Sequence, residues 1–237
     1  MNSLLQPAHS PELAEANESA LISRAAAGEG AAFEVLMRRH NQLVFRTAYS
    51  ILGNDADAED AVQEAYLRAW RALGSFRAES RFSTWLVRIV TNEALGRLRR
   101  TSARVISLEA AMTSPDSATQ AALASASDQD PEQSAVRAQT RKLMESRIDL
   151  LPDAFRTVFM LRAVEELSVA EVAQALEIPE ATVRTRFFRA RRLLRAGFAS
   201  QMDAALGDVF AFDGARCDRL VANVLARARA EGLSTGD

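Results

Sequence analysis

Apolar residues recur at helical spacing along most of the chain. Phe33, Leu36, Met37, Val44 and Ala48 share one face of the segment 31–52, and Val62, Tyr66, Ala69, Trp70 and Leu73 share one face of the segment that follows. Gly53-Asn54 parts the two, and Asp55 and Asp57 open the second, where carboxylates suit the helix dipole. Upstream, ALISRAAA ends at Gly28, a residue suited to a helix C-terminus. Downstream, the loop GSFRAESR leads into a fourth helix predicted from Phe82 to Arg100. No proline interrupts the chain between Glu12 and Ser114, as a helical block requires.

The pattern lapses after Thr101. Residues 101–137 are rich in Ala and Ser, with Pro115 and Pro131 and five acids against two arginines. So few large apolar residues cannot build a core, and the composition predicts a flexible acidic linker over 105–137. Helical periodicity returns in four segments: RKLMESRIDLL, DAFRTVFMLRAVEE after Pro152, VAEVAQAL, and EATVRTRFFRARRLLRAGF. Residues 1–17 read as a flexible N-terminus. The tail, 201–237, ends in an amphipathic helix, ARCDRLVANVLARARA, whose apolar face cannot stay in water alone. Packing on one of the two helical blocks, or on a regulator, would cover it. The fold class expected is therefore all-α: two small helical domains (18–104 and 138–200) joined by a linker, plus a helical tail.

Composition narrows the chemistry. Of 237 residues, 48% are apolar and 25% charged, which fits a globular chain. No apolar run reaches the roughly 18 residues of a membrane span, and the N-terminus has no secretory pattern, so the expected location is cytoplasmic. One cysteine, Cys217, excludes an internal disulfide framework and a thiolate zinc site. Cys217 as a redox sensor is a lesser reading than a small apolar residue. With two histidines, no glycine-rich phosphate loop and no nucleophile constellation, the chain is not expected to be an enzyme or to hold a metal or cofactor.

The net charge of −2 conceals two basic clusters. From Arg81 to Arg104 there are six arginines and one acid, Glu93; from Arg184 to Arg195 there are six arginines and no acid. The second cluster lies in a predicted helix-turn-helix. Ser168 and Glu171 form a capping box, Glu177-Ile178-Pro179 makes the turn, and Val183, Phe187, Ala190 and Leu194 form the buried side of the second helix. Its other side carries Arg184, Thr185, Arg186, Phe188, Arg189 and Arg192, a set suited to duplex DNA in a major groove. In the first cluster Arg81, Arg88, Asn92 and Arg99 share a face, with Arg100 beside them. Phe76, Arg77, Phe82 and Trp85 surround the preceding loop. Cations interleaved with aromatics and an amide suit unpaired bases, although Trp85 itself reads better as a core residue.

Three stretches, Asp57–Trp70, Phe82–Asn92 and Thr182–Arg191, occurring in this order with a linker before the third, resemble the extracytoplasmic-function (ECF) sigma factors of bacterial RNA polymerase. The resemblance covers roughly residues 20–200. It implies that the 57–70 helix docks on core RNA polymerase through Asp57, Asp60, Gln63, Glu64 and Leu67; on their own, these acids read as a solvated stripe. It implies that Phe76, Arg77, Arg81, Arg88, Asn92, Arg99 and Arg100 capture and melt the minus-ten element, and that the helix-turn-helix reads the minus-thirty-five element. It further implies promoter DNA as a partner and control by an anti-sigma factor. The chain departs from the family in its longer linker, in Gly96 four residues after Asn92, and in Glu177 at a turn where the family often has glycine. A helix-turn-helix regulator acting on duplex operator DNA without polymerase is the alternative.

Overall fold

The computed structural model describes residues 13, 15–109, 131–195 and 209–233, and every regular element among them is helical. The segments 1–12, 110–130 and 196–208 lie outside, and with them most of the expected flexible N-terminus and linker and the start of the tail.

The N-terminal block comprises α1 (Glu18–Ala26), α2 (Gly30–Leu52), α3 (Asp55–Ala72) and α4 (Phe82–Glu109). Side-chain caps set where two of them start: Asn17 accepts from the Ala20 amide and Asn54 from the Asp57 amide, both at 2.8 Å. Gly53, at φ 74°, ends α2 in the left-handed conformation, which lets α3 fold straight back. The apolar stripes meet in one core. Phe33 stacks on Trp70 at 4.3 Å, and Leu21, Leu36, Met37, Val62, Tyr66, Leu73, Phe82, Leu86 and Val90 are buried around them. Trp70 donates from Nε1 to the Ala25 carbonyl, which pays the polar cost of burying its indole.

The C-terminal block comprises α5 (Pro131–Asp149), α6 (Asp153–Phe159), α7 (Val169–Leu176) and α8 (Glu180–Arg195). Two expectations are corrected here. Helix α4 continues to Glu109 and α5 begins at Pro131, so both enter the span assigned to the linker. The segment 153–166 is not one α-helix, because it passes into a π-helical turn at Met160–Val164. The extra residue in that turn re-aims successive side chains. Val158 and Leu161 enter one core with Val172, Ala175 and Val183, whereas Phe159 and Met160 enter a second with Ile148, Ala190 and Leu194.

The two blocks pack together. Leu43 of α2 and Val87 of α4 belong to the same cluster as Leu167, Val172 and Val183 of the helix-turn-helix. Arg156 crosses the junction and donates to the Ser50 carbonyl (2.7 Å) and to the Asp149 carbonyl (3.0 Å), and it pairs with Asp153. The tail ends in α9 (Gly214–Ala230), which lies against α2 and α3 and buries Cys217, Leu220, Val221, Val224 and Ala228.

Candidate nucleic-acid interface

Helix α7 begins with the predicted capping box. Ser168 Oγ accepts from the Glu171 amide (3.2 Å), and the Ser168 amide donates to Glu171 Oε2 (2.8 Å). These hydrogen bonds, together with nearby Arg81, outweigh partial burial and hold the Glu171 carboxyl below its ordinary range. The turn closes on Glu177, whose φ of 53° and ψ of 42° place a non-glycine residue in the left-handed region. Pro179 precedes α8, and its carbonyl accepts from the Thr182 and Val183 amides.

Helix α8 divides as its periodicity requires. Val183, Ala190 and Leu194 are buried and Phe187 is half-buried, with the Arg162 and Arg191 guanidiniums over its ring at 5.5 and 5.7 Å. Arg184, Thr185, Phe188, Arg189 and Arg192 are exposed and Arg186 is half-exposed. Phe188 leaves 68% of its surface in water, an aromatic face open to a partner among the arginines. Arg184 is held by Glu180 one turn back, and Thr185 Oγ1 bonds the Ala181 carbonyl, so two of the six expected contact residues have intrahelical partners.

The other surface is built on α4 and the loop before it. Arg81, Arg88, Asn92, Arg99 and Arg100 are exposed, as is Arg77. Phe76 is half-buried: its ring packs edge-on to Phe82 at 5.6 Å and beside Trp85 at 5.2 Å, so it buttresses the loop. Trp85 is likewise half-buried within this aromatic trio. Arg81 reaches Glu171 of α7 at 3.4 Å, which sets the flank of this surface against the helix-turn-helix.

Sequence reasoning missed the part played by Glu93. Its carboxylate is 2% exposed and is ringed by Arg68 (2.8 Å), Arg97 (2.9 Å) and Arg100 (3.4 Å). A buried carboxylate needs such compensation, and in return it orients Arg97 and Arg100. The i, i+4 spacing of Glu93 and Arg97 was the available signal. Arg88 and Arg99 meet no acid among the described residues.

The expected partner-facing set on α3 is not uniformly exposed. Asp57 and Asp60 are exposed; Asp57 accepts from the Asn54 side chain (2.8 Å) and Asp60 lies 3.5 Å from Arg97. Gln63 and Glu64 are half-buried. Burial pushes the Glu64 carboxyl up, but its hydrogen bond with Arg227 and the charges of Arg227, Arg68 and Arg71 together hold it below its ordinary value. Leu67 is a correction: it is fully buried in the core, because its position on α3 faces α2 and α4.

No helix among the described residues is long and apolar enough to cross a membrane, and no group of His, Cys, Asp and Glu among them is arranged to hold a metal ion. The chain matches the Sigma-70 region 2 family over residues 36–104 and the Sigma-70, region 4 family over residues 141–194. It is 34% identical over 174 residues to the ECF RNA polymerase sigma factor SigW of Bacillus subtilis, covering 73% of this chain and 92% of the relative. It is 34% identical over 178 residues to the ECF RNA polymerase sigma-E factor of Escherichia coli, covering 75% and 92%. A solved sigma factor, RpoE of Bartonella quintana in complex with the anti-sigma factor NepR, shares the fold with a TM-score of 0.54 and 21% identity, covering 69% of this chain and 94% of that one.

Proposed function

The chain belongs to the ECF sigma factors of bacterial RNA polymerase, and from that premise we propose how its surfaces divide the work. As a promoter-specificity subunit it joins core RNA polymerase and directs initiation at promoters with a minus-thirty-five and a minus-ten element. The unit of residues 18–104 binds the polymerase through Asp57, Asp60, Gln63 and Glu64. The same unit receives the minus-ten strand on Arg77, Arg81, Arg88, Asn92, Arg99 and Arg100. The unit of residues 138–200 reads the minus-thirty-five duplex with Arg184, Thr185, Arg186, Phe188, Arg189 and Arg192.

The observation that carries this reading is the exposed, arginine-bearing outer face of α8, free of acids from Arg184 onward, together with a second exposed cationic face on α4. One face has the width and chemistry for a major groove. The other offers cations and an amide for phosphates and separated bases. Neither needs a bound cofactor, and the chain acts by binding rather than by its own chemistry, in the cytoplasm where polymerase and chromosome meet. An anti-sigma factor that sequesters the chain is part of the same proposal.

A stand-alone operator-binding regulator would leave the exposed Asp57 and Asp60 of α3, and Asn92, without a partner. Immobilising the full chain and challenging it with purified core polymerase separates the two readings. A sigma factor retains the core enzyme and binds duplex promoter DNA weakly by itself. Tight, salt-sensitive binding of duplex DNA with no retention of core would favour the operator-binding regulator.

A further inference from the structure

The tail connects both blocks before it forms α9. Val209 is buried in the C-terminal core, and the Phe210 amide donates to Glu145 Oε1 at 2.9 Å. Two residues on, Phe212 stacks against Phe45 of α2 at 4.2 Å and its amide donates to Gln42 Oε1 at 2.9 Å. The Arg216 guanidinium lies over both rings, at 4.8 and 5.2 Å. Helix α9 then seats its apolar face on α2 and α3.

The rim of this contact is a row of arginines on acids of α3. Arg216 meets Asp55 (3.2 Å) and Glu59 (2.9 Å), Arg219 meets Glu59 (3.5 Å), and Arg227 meets Glu64 (3.0 Å). In the reverse sense, Asp218 meets Arg38 (2.6 Å) and Glu231 meets Arg71. Glu64 is therefore already paired within the chain, and Gln63 beside it is half-buried.

We propose that helix α9 and core polymerase compete for one surface: the acidic face of α3 holds the chain's own tail in the free protein and exchanges it for the polymerase on assembly. The proposal rests on the reading of α3 as the polymerase-docking helix. Its physical basis is that Glu64, a member of the docking set, cannot serve two partners, and that Glu59, earlier on α3, is covered by the same helix. Displacing α9 strips Glu59 of both its arginines and leaves Glu64 with only the longer contacts to Arg68 (3.6 Å) and Arg71 (3.9 Å), so an incoming partner that brings its own cations is favoured. An amphipathic, arginine-bearing helix is the chemistry that fits. Because 209–212 fastens both blocks, release of the tail also removes one of the ties that hold the two DNA-reading surfaces together.

The chain offers a reversible lock. Asn41 Nδ2 lies 2.7 Å from Sγ of Cys217, the sole cysteine, so Asn41→Cys brings a second sulfur against the first, between α2 and α9. The full-length variant is oxidised, loss of free thiol is verified, and its affinity for core polymerase is compared before and after addition of dithiothreitol. The expected result is at least about a tenfold loss of affinity in the oxidised chain, restored on reduction, with wild type indifferent to reductant. Arg219→Glu combined with Arg227→Glu loosens the exposed rim without touching the core and is expected to bind polymerase several-fold more tightly than wild type. Equal affinity of the oxidised and reduced chains overturns the proposal, as does failure of the disulfide to form. If wild type itself does not bind core polymerase, the reading of α3 falls first and the proposal with it.

Discussion

Arg46 of α2 places Nη1 2.8 Å from Glu165 Oε1, just beyond the π-helical turn, with side-chain exposures of only 6% and 13%. The pair spans the junction between the two blocks. Removing one member of a buried pair leaves the other charged and desolvated, which costs about 3 kcal/mol. Arg46→Ala is therefore expected to lose stability of that order in chemical denaturation, and the double variant with Glu165→Gln to regain part of it. Additive losses in that double-mutant cycle would show that the two groups are not coupled.

A pH dependence follows from His40. Its Nε2 donates to Glu18 at 2.8 Å, and its ring packs edge-on to Phe82. Burial pulls the imidazole pKa down, opposed only in part by Glu18, and Arg39 adds to the lowering. The folded state thus binds a proton less readily than the unfolded state. The stability this contributes is complete above the ordinary value of 6.5 and is lost as the pH falls toward the folded-state value. Thermal melts taken from about pH 7.5 to about pH 5 should show a declining midpoint that His40→Gln flattens. Parallel curves for the two proteins would remove His40 as the cause.

Arg189 stands on the exposed face of α8 beside Phe188. If its planar fork reads a guanine edge, Arg189→Ala costs about 1–3 kcal/mol on the cognate upstream element and little on others. Promoter binding by the holoenzyme, measured across a set of single-base upstream variants, resolves this. A uniform loss across all sequences would assign Arg189 to the phosphate backbone.

Asn92 is exposed one turn beyond Arg88, on the α4 face that carries no acid. Asn92→Ala should leave retention of core polymerase intact and reduce strand opening, read as weaker permanganate reactivity of thymines in the minus-ten region. Normal footprints at wild-type occupancy would take Asn92 out of base capture.

How far the sequence was legible depended on whether a residue's role is set locally. The capping box at Ser168 and Glu171, the glycine stop at Gly53 and the buried stripe of α8 all follow from spacing within one helix. The π-helical turn at Met160–Val164 did not show, because it is set by two cores that pull neighbouring residues in opposite directions. Leu67 was assigned to a surface on family pattern, yet the packing of α3 between α2 and α4 buries it. The continuation of α4 to Glu109 and the start of α5 at Pro131 escaped because composition alone marked that span as non-helical. The pairing of Arg227 with Glu64, 163 residues apart, is a tertiary contact that no local pattern encodes.

The most direct measurement is start-site mapping in a reconstituted system. Core RNA polymerase is incubated with a genomic promoter library, with and without the purified chain, and the 5′ ends of the transcripts are sequenced. The expected result is a set of start sites present only with the chain, sharing one upstream and one minus-ten motif at a fixed spacing and weakened selectively by Arg189→Ala and Asn92→Ala. A library in which no start site depends on the chain would contradict its assignment as a promoter-specificity subunit.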